Sequence, residues 1–257
     1  SWAEGTSTPI ALRESGTTGA GNTLTSYFDR DIDLIMNRTK ARPIPSKRIY
    51  PSSKALYFGL ILSFLSIIIS YYFINLLAAA LMIFGLFDNV IVYSKILKRR
   101  HPISIILGGF SGGTPVLIGY ASITNTIDFT SIILASLVVI WIPSHIWSLA
   151  LHSKEDYKKA KIPMLPVSDG VEKTKVYIFI YSLTMIPAIL FPYFINFAGI
   201  TYLIPSVLLT LYYCYICYEL MNFKKNKFES KQAKKVFAYS IFYLFLIFVL
   251  FLLDSLI

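Results

Sequence analysis

Three aspartates and three arginines crowd into one short segment of a mostly apolar chain. In a helix, Asp29 and Asp33 lie four residues apart and therefore share a face. Paired carboxylates suit Mg²⁺, which proteins bind through one or two carboxylates together with the oxygens of a substrate phosphate. Arg38 and Arg42 repeat this spacing, and guanidinium groups bind such a phosphate bidentately. We therefore predict a site for a phosphorylated substrate, on a helix that Pro43 ends.

The alternative is a solvated helix end whose charges pair with one another, because charge clusters are common beside membrane spans. The order of the residues favours a site. Asp29-Arg-Asp-Ile-Asp, followed by Met36-x-Arg-Thr-x-x-Arg-Pro, resembles the first signature of the heme O synthase (protoheme IX farnesyltransferase) family of UbiA-type intramembrane prenyltransferases. The resemblance implies that Asp29 and Asp33 bind metal and that Arg38 and Arg42 bind a diphosphate.

The motif departs from the family at one position. The family places Asn four residues before the first aspartate, where this chain has Thr25. Asn22, seven residues before Asp29, lies on nearly the same helical face and is a candidate for the missing amide. The hydroxyl of Thr25 is the alternative donor.

Composition places this segment in a membrane protein. Hydrophobic residues make up 55% of the 257 residues and the mean hydropathy is +0.61, which is too apolar for a soluble domain. Seven apolar stretches have about the twenty residues that a helix needs to span a bilayer. They occupy residues 55–73, 76–94, 103–121, 130–151, 176–196, 199–218 and 236–256. We therefore predict an all-α, polytopic transmembrane helical bundle.

Charge predicts the orientation of the bundle. All of the 24 Lys and Arg residues except Arg13 fall into four regions that are separated by pairs of spans, and the opposite connections carry none. The regions are 30–54, 95–100, 154–175 and 224–235. By the positive-inside rule these loops are cytoplasmic, so we predict a multi-pass cell-membrane protein whose active-site cavity opens to the cytoplasm. The net charge of +10 thus follows from topology and gives little support to nucleic-acid binding.

The amino terminus fits this pattern least well. Residues 1–21 are small and polar, include four glycines and contain no span. We interpret them as an atypical segment, either flexible chain or foreign sequence, ahead of a transmembrane prenyltransferase domain at 22–257. The resembling family has nine spans, one and most of a second preceding the aspartates, so we expect a truncated or altered start that removes part of the cavity wall.

The second span ends in Tyr93-Ser-Lys-Ile-Leu-Lys98, followed by two arginines. A tyrosine hydroxyl and a lysine ammonium suit the same phosphate at the membrane interface, and plain interfacial anchoring is the alternative. A similar Tyr-Thr-x-x-Leu-Lys-Arg in the family implies diphosphate contact by Tyr93 and Lys98. Asp88 and Asn89 lie deeper in the span and are secondary site candidates. Burial of an ionisable group such as Asp88 in a span is energetically costly, so such a group is usually functional.

The third span is rich in glycine. Small residues four apart let helices approach closely, so we predict a packing role. A phosphate-binding loop is not indicated, because no strand precedes the glycines and no Gly-Lys-Ser/Thr follows them. The glycines are Gly108, Gly109, Gly112, Gly113 and Gly119.

A second constellation lies in the fourth span. Trp141, His145 and His152 fall near one helical face at spacings of four and seven. A histidine in a span usually faces protein or a cavity, and a hydrogen bond to a carbonyl freed by Pro143 is the alternative. The segment resembles the family's Trp-x-Pro-x-His-x-Trp, which implies substrate binding by Trp141 and His145, with His145 on the porphyrin or its iron.

The loop after this span continues Lys154-Glu-Asp156-Tyr, again similar to the family. The adjacent acids do not share a helical face, and position 160 is Ala, so the four-apart pair of many UbiA-type enzymes is not repeated. The resemblance implies a functional Asp156, which we expect to supply a further metal contact, and we expect Lys154, Lys158 or Lys161 near the phosphate.

The resemblance implies transfer of a farnesyl group from farnesyl diphosphate to a vinyl group of heme B, giving heme O, with Mg²⁺ as cofactor. Metal-bound carboxylates stabilise the leaving diphosphate, so Asp29, Asp33 and Asp156 are the predicted catalytic residues. The predicted partners are both substrates and the lipid bilayer, with heme A synthase or a terminal oxidase as candidate assembly partners.

Three other functions stay open at this point. Another UbiA-type prenyltransferase would act on an aromatic or quinone-precursor acceptor, although the Trp-x-Pro-x-His segment resembles the heme branch. A transporter would carry charges at the bilayer midplane on broken helices, whereas these carboxylates lie at one interface. An inactive heme-handling relative is consistent with the incomplete start.

Overall fold

The computed structural model describes residues 7–222 and 228–257, with side chains at 18–222 and from 229 onward. In these residues every regular element is a helix, which confirms the predicted all-α class. The chain forms two compact units, and the boundary between them falls after Ala135.

The first unit extends to Ala135 and also includes Lys159–Ile162. Its helices are α1 (Ser7–Phe28), α2 (Arg30–Ile35), α3 (Ser53–Phe73), α4 (Leu76–Phe87), a π-helix (Asp88–Leu97), α5 (Ser104–Leu107) and α6 (Gly109–Thr124). Helix α1 packs against α3, and α4 packs against α6. The π-helix follows α4 without a break, so the two elements form one continuous span.

The second unit comprises Ser136–Lys158 and Pro163–Ile257. Its helices are the larger part of α7 (Phe129–His152), then α8 (Lys154–Lys159), α9 (Leu165–Ser168), α10 (Val171–Phe194), α11 (Ile200–Asn222) and α12 (Phe228–Asp254). Helix α11 packs against both α10 and α12. Tyr213 of α11 is fully buried, stacks on Tyr243 of α12 and donates a hydrogen bond to Ser144 of α7 at 2.8 Å.

Seven helical segments of the described chain are long and apolar enough to cross a membrane. They are Ser53–Phe73, Leu76–Leu97, Ser104–Thr124, Phe129–His152, Val171–Phe194, Ile200–Asn222 and Glu229–Asp254. The predicted spans and the polytopic bundle are therefore confirmed. Large apolar side chains on these helices, such as Phe64, Phe84 and Phe245, are exposed, as expected of surfaces that face lipid.

The polar amino-terminal segment is helical where the structure describes it, because α1 runs from Ser7 to Phe28. Residues 7–21, interpreted as flexible chain or foreign sequence, are thus helical, residues 1–6 lie outside the described residues, and the interpretation of 1–21 as an atypical segment stays a prediction. Packing against α3 stabilises the later turns of α1. Leu24 is buried against α3 at Gly59, where an added Cβ would lie 2.8 Å from the Leu24 side chain.

The basic stretch 224–235, predicted as a loop, is helical from Phe228 onward. Its first part, up to residue 227, lies outside the described residues. Beside the start of α12, the buried ammonium group of Lys175 pairs with Glu229 and, at 3.3 Å, with Glu172. This pairing anchors the beginning of α12 to α10.

Asn75 forms the narrow connection between α3 and α4. Its Oδ1 accepts a hydrogen bond from the Ala78 N–H at 2.7 Å and so caps α4. Its Nδ2 donates to the carbonyl of Ala121 in α6, also at 2.7 Å. One side chain therefore satisfies a helix terminus and ties the turn to a third span.

We expect Asn75→Ala to lower the free energy of unfolding by about 1–3 kcal/mol, because it removes the cap and leaves the Ala121 carbonyl without this donor. The measurement is the thermal midpoint in detergent. Asn75→Asp keeps the capping oxygen and loses the amide donor, so its loss is expected to be smaller. A midpoint of Asn75→Ala equal to that of the unmodified protein would contradict this role.

Candidate functional site

Asp29 and Asp33 lie on one face of the path from α1 into α2. Asp29 is the N-cap of α2, and it donates its N–H to the Thr25 carbonyl at 2.8 Å. The Asp33 N–H donates to the Asp29 carbonyl at 2.8 Å, so helical hydrogen bonding continues through the junction. Both carboxylates are buried, with relative exposures of 4% and 3%. The shared face predicted from their spacing is therefore present.

Only one of the two oxygens of the Asp29 carboxylate accepts a hydrogen bond from a described residue. Its Oδ2 accepts a hydrogen bond from Lys98 Nζ at 2.5 Å. Its Oδ1 is buried, and no described residue donates a hydrogen bond to it. A buried anionic oxygen without a donor is costly. An oxygen of this kind fits the hard-cation chemistry of Mg²⁺, which takes carboxylate oxygens as ligands.

The helix that carries the aspartates ends at Ile35, so the prediction that it continues to Pro43 is wrong. Met36 is extended, with φ −80° and ψ 125°. The buried hydroxyl of Thr39 donates to the Asp33 carbonyl at 3.2 Å. Such a side-chain donor competes with the helical backbone for the same carbonyl, which explains the early end.

Arg38 and Arg42 consequently lie in the turns after α2 and not on the helix. Arg42 nevertheless reaches back, and its Nη1 donates to Asp33 Oδ2 at 2.8 Å. Its side chain is 42% exposed, so part of the guanidinium group is open to an incoming anion. Arg38 is exposed. The structure thus joins Arg42 to the carboxylates by a hydrogen bond across a turn.

Lys98 reaches Asp29 from the end of the π-helix. The Lys98 N–H bonds to the carbonyl of Tyr93, five residues earlier, at 2.9 Å. π-Helical turns change the direction of the residues that follow and recur at functional sites. Lys98 Nζ lies 6.0 Å from the centroid of the Tyr93 ring, so the two predicted diphosphate residues are neighbours. Tyr93 packs on Gly108, where an added Cβ would lie 2.5 Å from its ring, in agreement with the predicted packing role of the glycines.

Arg99 belongs to the same cluster, although sequence reasoning missed it. It binds Asp31 bidentately, with two N–H···O distances of 2.7 Å, and donates to the Phe28 carbonyl at 2.8 Å. It therefore ties the end of α1 to the end of the π-helix. The hydrogen bonds from Arg99 lower the pKa of the Asp31 carboxyl below its ordinary value. The clustering of arginine beside lysine after Tyr93 was the only signal in the sequence.

A cavity of about 240 Å³ lies inside the first unit, beside α1, α4 and α6. It is mostly apolar, and the predicted Asn22 and the secondary candidate Asn89 are among its polar residues. Asp88 lies next to it and accepts a hydrogen bond from the Ser111 N–H at 3.0 Å, which fixes the start of α6. The lining residues are Thr18, Gly21, Asn22, Met82, Gly85, Leu86, Asn89, Ser111, Gly112, Thr114, Pro115 and Ile118.

In the second unit, the ring of His145 lies between two aromatic rings. Trp141 stacks on it with a centroid distance of 4.1 Å, and Phe237 of α12 stacks on the opposite side at 4.6 Å. The Nδ1 atom lies 2.7 Å from the hydroxyl of Ser240, and Trp141 Nε1 donates to the Ser240 carbonyl at 2.9 Å. The His145 ring is thus held by the side chains of Trp141, Phe237 and Ser240, and among the described residues its hydrogen-bond partner is Ser240 and not a carbonyl freed by Pro143.

His152 lies on the same face of α7 as Trp141 and His145, as predicted, because it too contacts α12. Its Nδ1 lies 2.8 Å from the hydroxyl and 3.0 Å from the carbonyl of Ser230. The partners Ser230, Phe237 and Ser240 were missed by sequence reasoning. Ser230 lies in the basic first turns of α12, and Phe237 and Ser240 lie in its apolar part, where the sequence carries no distinguishing pattern.

Lys154 and Asp156 lie in α8, just after α7, and both are partly buried. They belong to the second unit, whereas Asp29 and Asp33 belong to the first. Among the described residues, no three His, Cys, Asp or Glu side chains group closely enough to hold a metal ion. Participation of Asp156 in a metal site stays a prediction.

The chain matches the model of the UbiA prenyltransferase family over residues 10–247. It is 46% identical to the protoheme IX farnesyltransferase of Pelagibacter ubique over 83% of this chain and 70% of that protein. It is 48% identical to protoheme IX farnesyltransferase 1 of Picrophilus torridus, over 77% of this chain and 65% of that protein. The aligned part of the chain thus spans about two thirds of the length of these relatives. The family match begins at residue 10, so the resemblance extends into the segment that we placed ahead of the domain at 22–257.

Solved structures show the same fold. A structure of digeranylgeranylglyceryl phosphate synthase superposes with a TM-score of 0.75 at 22% identity, over 96% of this chain and 84% of that one. A UbiA homologue from Archaeoglobus fulgidus, bound to GPP and Mg²⁺, gives a TM-score of 0.69 at 17% identity, over 95% of this chain and 86% of that one.

The Asp31–Arg99 pair predicts a pH dependence of stability. The folded-state pKa of Asp31 lies below its ordinary value of 3.8, so the pair stabilises the fold above about pH 4 and this contribution is lost as the pH falls further. We expect Asp31→Asn to lower the thermal midpoint by a constant amount from pH 8 to about pH 5, and by less below pH 4. A difference that persists unchanged at low pH would contradict the ion pair.

Proposed function

Because the chain belongs to the UbiA prenyltransferase family, we propose that it transfers a farnesyl group from farnesyl diphosphate to a vinyl group of heme B, giving heme O. The observation that carries this proposal is the pair of buried carboxylates, Asp29 and Asp33, each held by a basic side chain. Several relatives that share 40–48% of their aligned residues with this chain are protoheme IX farnesyltransferases, which supports heme B as the acceptor.

The carboxylates provide the cation site. Asp29 Oδ1 is buried with no donor from the described residues, and Asp33 lies on the same face, so these two side chains would hold Mg²⁺ together with diphosphate oxygens. When bound, the ion neutralises charge on the leaving diphosphate. The UbiA homologue that binds GPP and Mg²⁺ has the same fold, which supports this cofactor. Asp156 is proposed as a further ligand.

The basic residues stabilise the leaving group. Lys98 and Arg42 already contact the carboxylates, and each keeps donors beyond those that it uses there. Arg38, Tyr93 and Lys154 are proposed to contribute to the same anion. Cations fixed where negative charge develops lower the barrier to C–O cleavage, because they do not have to reorganise during the reaction. Breakage of this bond leaves an allylic carbocation and diphosphate.

The cavity of the first unit is proposed to hold the farnesyl tail. Its walls are contributed by apolar residues such as Met82, Leu86 and Ile118. Asn22 also lines it, and lies two helical turns before Asp29 on α1. A farnesyl tail bound in this cavity would therefore lie beside α1. Its diphosphate end would lie near Asp29 and Asp33.

The second unit is proposed to bind the heme. Trp141, His145 and Phe237 form a three-ring stack, which offers apolar aromatic surface and a ring nitrogen to a porphyrin. In the proposed reaction the farnesyl cation forms a carbon–carbon bond with the heme vinyl group. Water then adds to the resulting cation and loses a proton, which leaves a hydroxyethylfarnesyl group.

The environment of the protein follows from its spans. We propose that the basic loops face the cytoplasm and that the diphosphate enters from that side. A heme A synthase or a terminal oxidase as assembly partner stays a prediction.

We expect Asp29→Asn to reduce heme O formation by a factor of about 10²–10³, because the amide replaces the charged metal ligand. The assay mixes purified chain in membranes with heme B, farnesyl diphosphate and Mg²⁺, and the product is identified by mass. Asp31→Asn is the matched control, since Asp31 is 62% exposed at its side chain and pairs with Arg99. It is expected to retain activity.

The outcomes separate the candidate functions. Heme O made by the unmodified chain and lost in Asp29→Asn supports the proposal. Prenylation of an aromatic acceptor without heme O would identify another member of the family. Bound heme without any prenyl transfer would indicate an inactive heme-handling relative.

A second prediction concerns the cavity. Gly21 lines it, and an added Cβ would make an ordinary contact, at 3.7 Å, with Leu86. We expect Gly21→Val to narrow the cavity and to lower kcat/KM for farnesyl diphosphate by more than for the shorter geranyl diphosphate. Gly19→Val is the control, because Gly19 lies on the same helix outside the cavity and an added Cβ there lies 3.5 Å from Leu62. Equal losses with both substrates would place the tail elsewhere.

A further inference from the structure

Ser240 holds three groups of the second unit together. Its hydroxyl lies 2.7 Å from His145 Nδ1 and donates to the Phe237 carbonyl at 2.7 Å. Its own carbonyl accepts a hydrogen bond from Trp141 Nε1 at 2.9 Å. Ser240 is fully buried. Two of the three stacked rings are therefore attached to one residue of α12 by hydrogen bonds.

The Ser240 hydroxyl has a single hydrogen to donate, so the acceptor of that hydrogen determines whether His145 Nδ1 must carry a hydrogen of its own. The Phe237 carbonyl is an acceptor only, so the short distance to it requires that Ser240 donates its hydrogen there. The Ser240 oxygen then faces Nδ1 with a lone pair, and this contact is attractive only if Nδ1 carries a hydrogen. If Ser240 donated to Nδ1 instead, two oxygen lone pairs would face each other at 2.7 Å.

We infer that Ser240 is a positioning residue that keeps neutral His145 in the Nδ1–H tautomer and so directs an unprotonated Nε2 to the heme iron. The tautomer follows from the hydrogen-bond network. The assignment of the heme iron as the atom that Nε2 binds rests on the proposed function. In histidines that bind metal, the nitrogen that does not bind usually donates to such a partner.

The surroundings of the ring agree with this role. The stacked Trp141 and Phe237 hold the plane of the imidazole on both faces, with interplanar angles of 19° and 24°. No described residue hydrogen-bonds Nε2, and Nε2 is not among the buried polar atoms that lack a partner. The ring is therefore fixed at one nitrogen and by both faces, and its remaining lone pair is accessible.

A serine inside an apolar helix commonly donates to a carbonyl of its own helix and does nothing else. Ser182 of α10 is fully buried and likewise donates to the Phe179 carbonyl at 2.7 Å, and the other side chains that it interacts with are the thiols of Cys214 and Cys217, not a ring nitrogen. Ser240 makes the same bond, and in addition accepts from a side chain of another helix. The comparison supplies a matched control residue in the same unit.

The tautomer is tested on the full chain in lipid nanodiscs without substrates. The chain has three histidines, so ¹⁵N-histidine labelling gives few signals, and the His145 pair is assigned by its loss in His145→Ala. The unmodified chain is expected to show a protonated Nδ1 and an unprotonated Nε2. Ser240→Ala is expected to shift this population toward the other tautomer, whereas Ser240→Thr, which keeps a hydroxyl, and Ser182→Ala are expected to retain it.

Iron binding is tested by optical titration of the same variants with hemin. We expect a His145-dependent absorption spectrum, and a loss of hemin affinity of about 10- to 100-fold in Ser240→Ala. Ser240→Thr and Ser182→Ala are expected to bind as the unmodified chain does. The Thr variant separates the hydroxyl from a general packing defect.

The inference is overturned if Ser240→Ala leaves the ¹⁵N signals of His145 unchanged, or if the hemin spectrum does not depend on His145. Failure of the proposed function looks different. In that case the tautomer and the hemin spectrum follow Ser240 and His145 as expected, but the unmodified chain forms no heme O from farnesyl diphosphate.

Discussion

The burial of two carboxylates at the end of α1 is the constraint on which the first unit depends. Asp29 and Asp33 lose most of their hydration, and a buried charge is tolerated only when it is paired. The partners come from elements that follow in the chain, Lys98 from the end of the π-helix and Arg42 from the turns after α2. The aspartates thus determine where two basic loops must lie. One oxygen of Asp29 stays without a donor among the described residues, which is a stability cost that a bound cation would offset.

The π-helix shows how a span adapts to this constraint. It begins at Asp88, which also accepts a hydrogen bond from the start of α6, and it ends beside Lys98. Its wider turns set the direction of the residues that follow, so that Lys98 reaches Asp29 while Arg99 reaches Asp31 and the end of α1. The close packing of Tyr93 on Gly108 supports the last turns from the neighbouring span. In this segment π-helical hydrogen bonds replace the regular α-helical ones, and the cations Lys98 and Arg99 lie beside their carboxylates as a result.

The sequence predicts those features that depend on hydrophobic length and local spacing. The seven spans follow from apolar runs, and the shared face of Asp29 and Asp33 follows from helical periodicity, as does the common direction of His145 and His152. Features that depend on tertiary competition were not predictable. The hydroxyl of Thr39 competes for the Asp33 carbonyl at the end of α2, and Leu24 packs on Gly59 where α1 meets α3. The sequence did not predict a role for Ser240, because serines are common in apolar helices. Its role depends on its contacts with Trp141 and His145, which only the structure shows.

The carboxylates of the first unit and His145 of the second unit follow one physical rule. A buried polar group is held in place by a hydrogen bond to one of its atoms. The atom without such a bond is the one that can bind a ligand. Lys98 holds one oxygen of Asp29, and the other oxygen suits a hard cation. Ser240 holds one nitrogen of His145, and the other nitrogen suits a softer metal. Because Lys98 and Ser240 each fix one atom and leave another for the ligand, substitutions that remove either hydrogen bond are expected to affect function through Asp29 or His145, whose own side chains stay chemically intact.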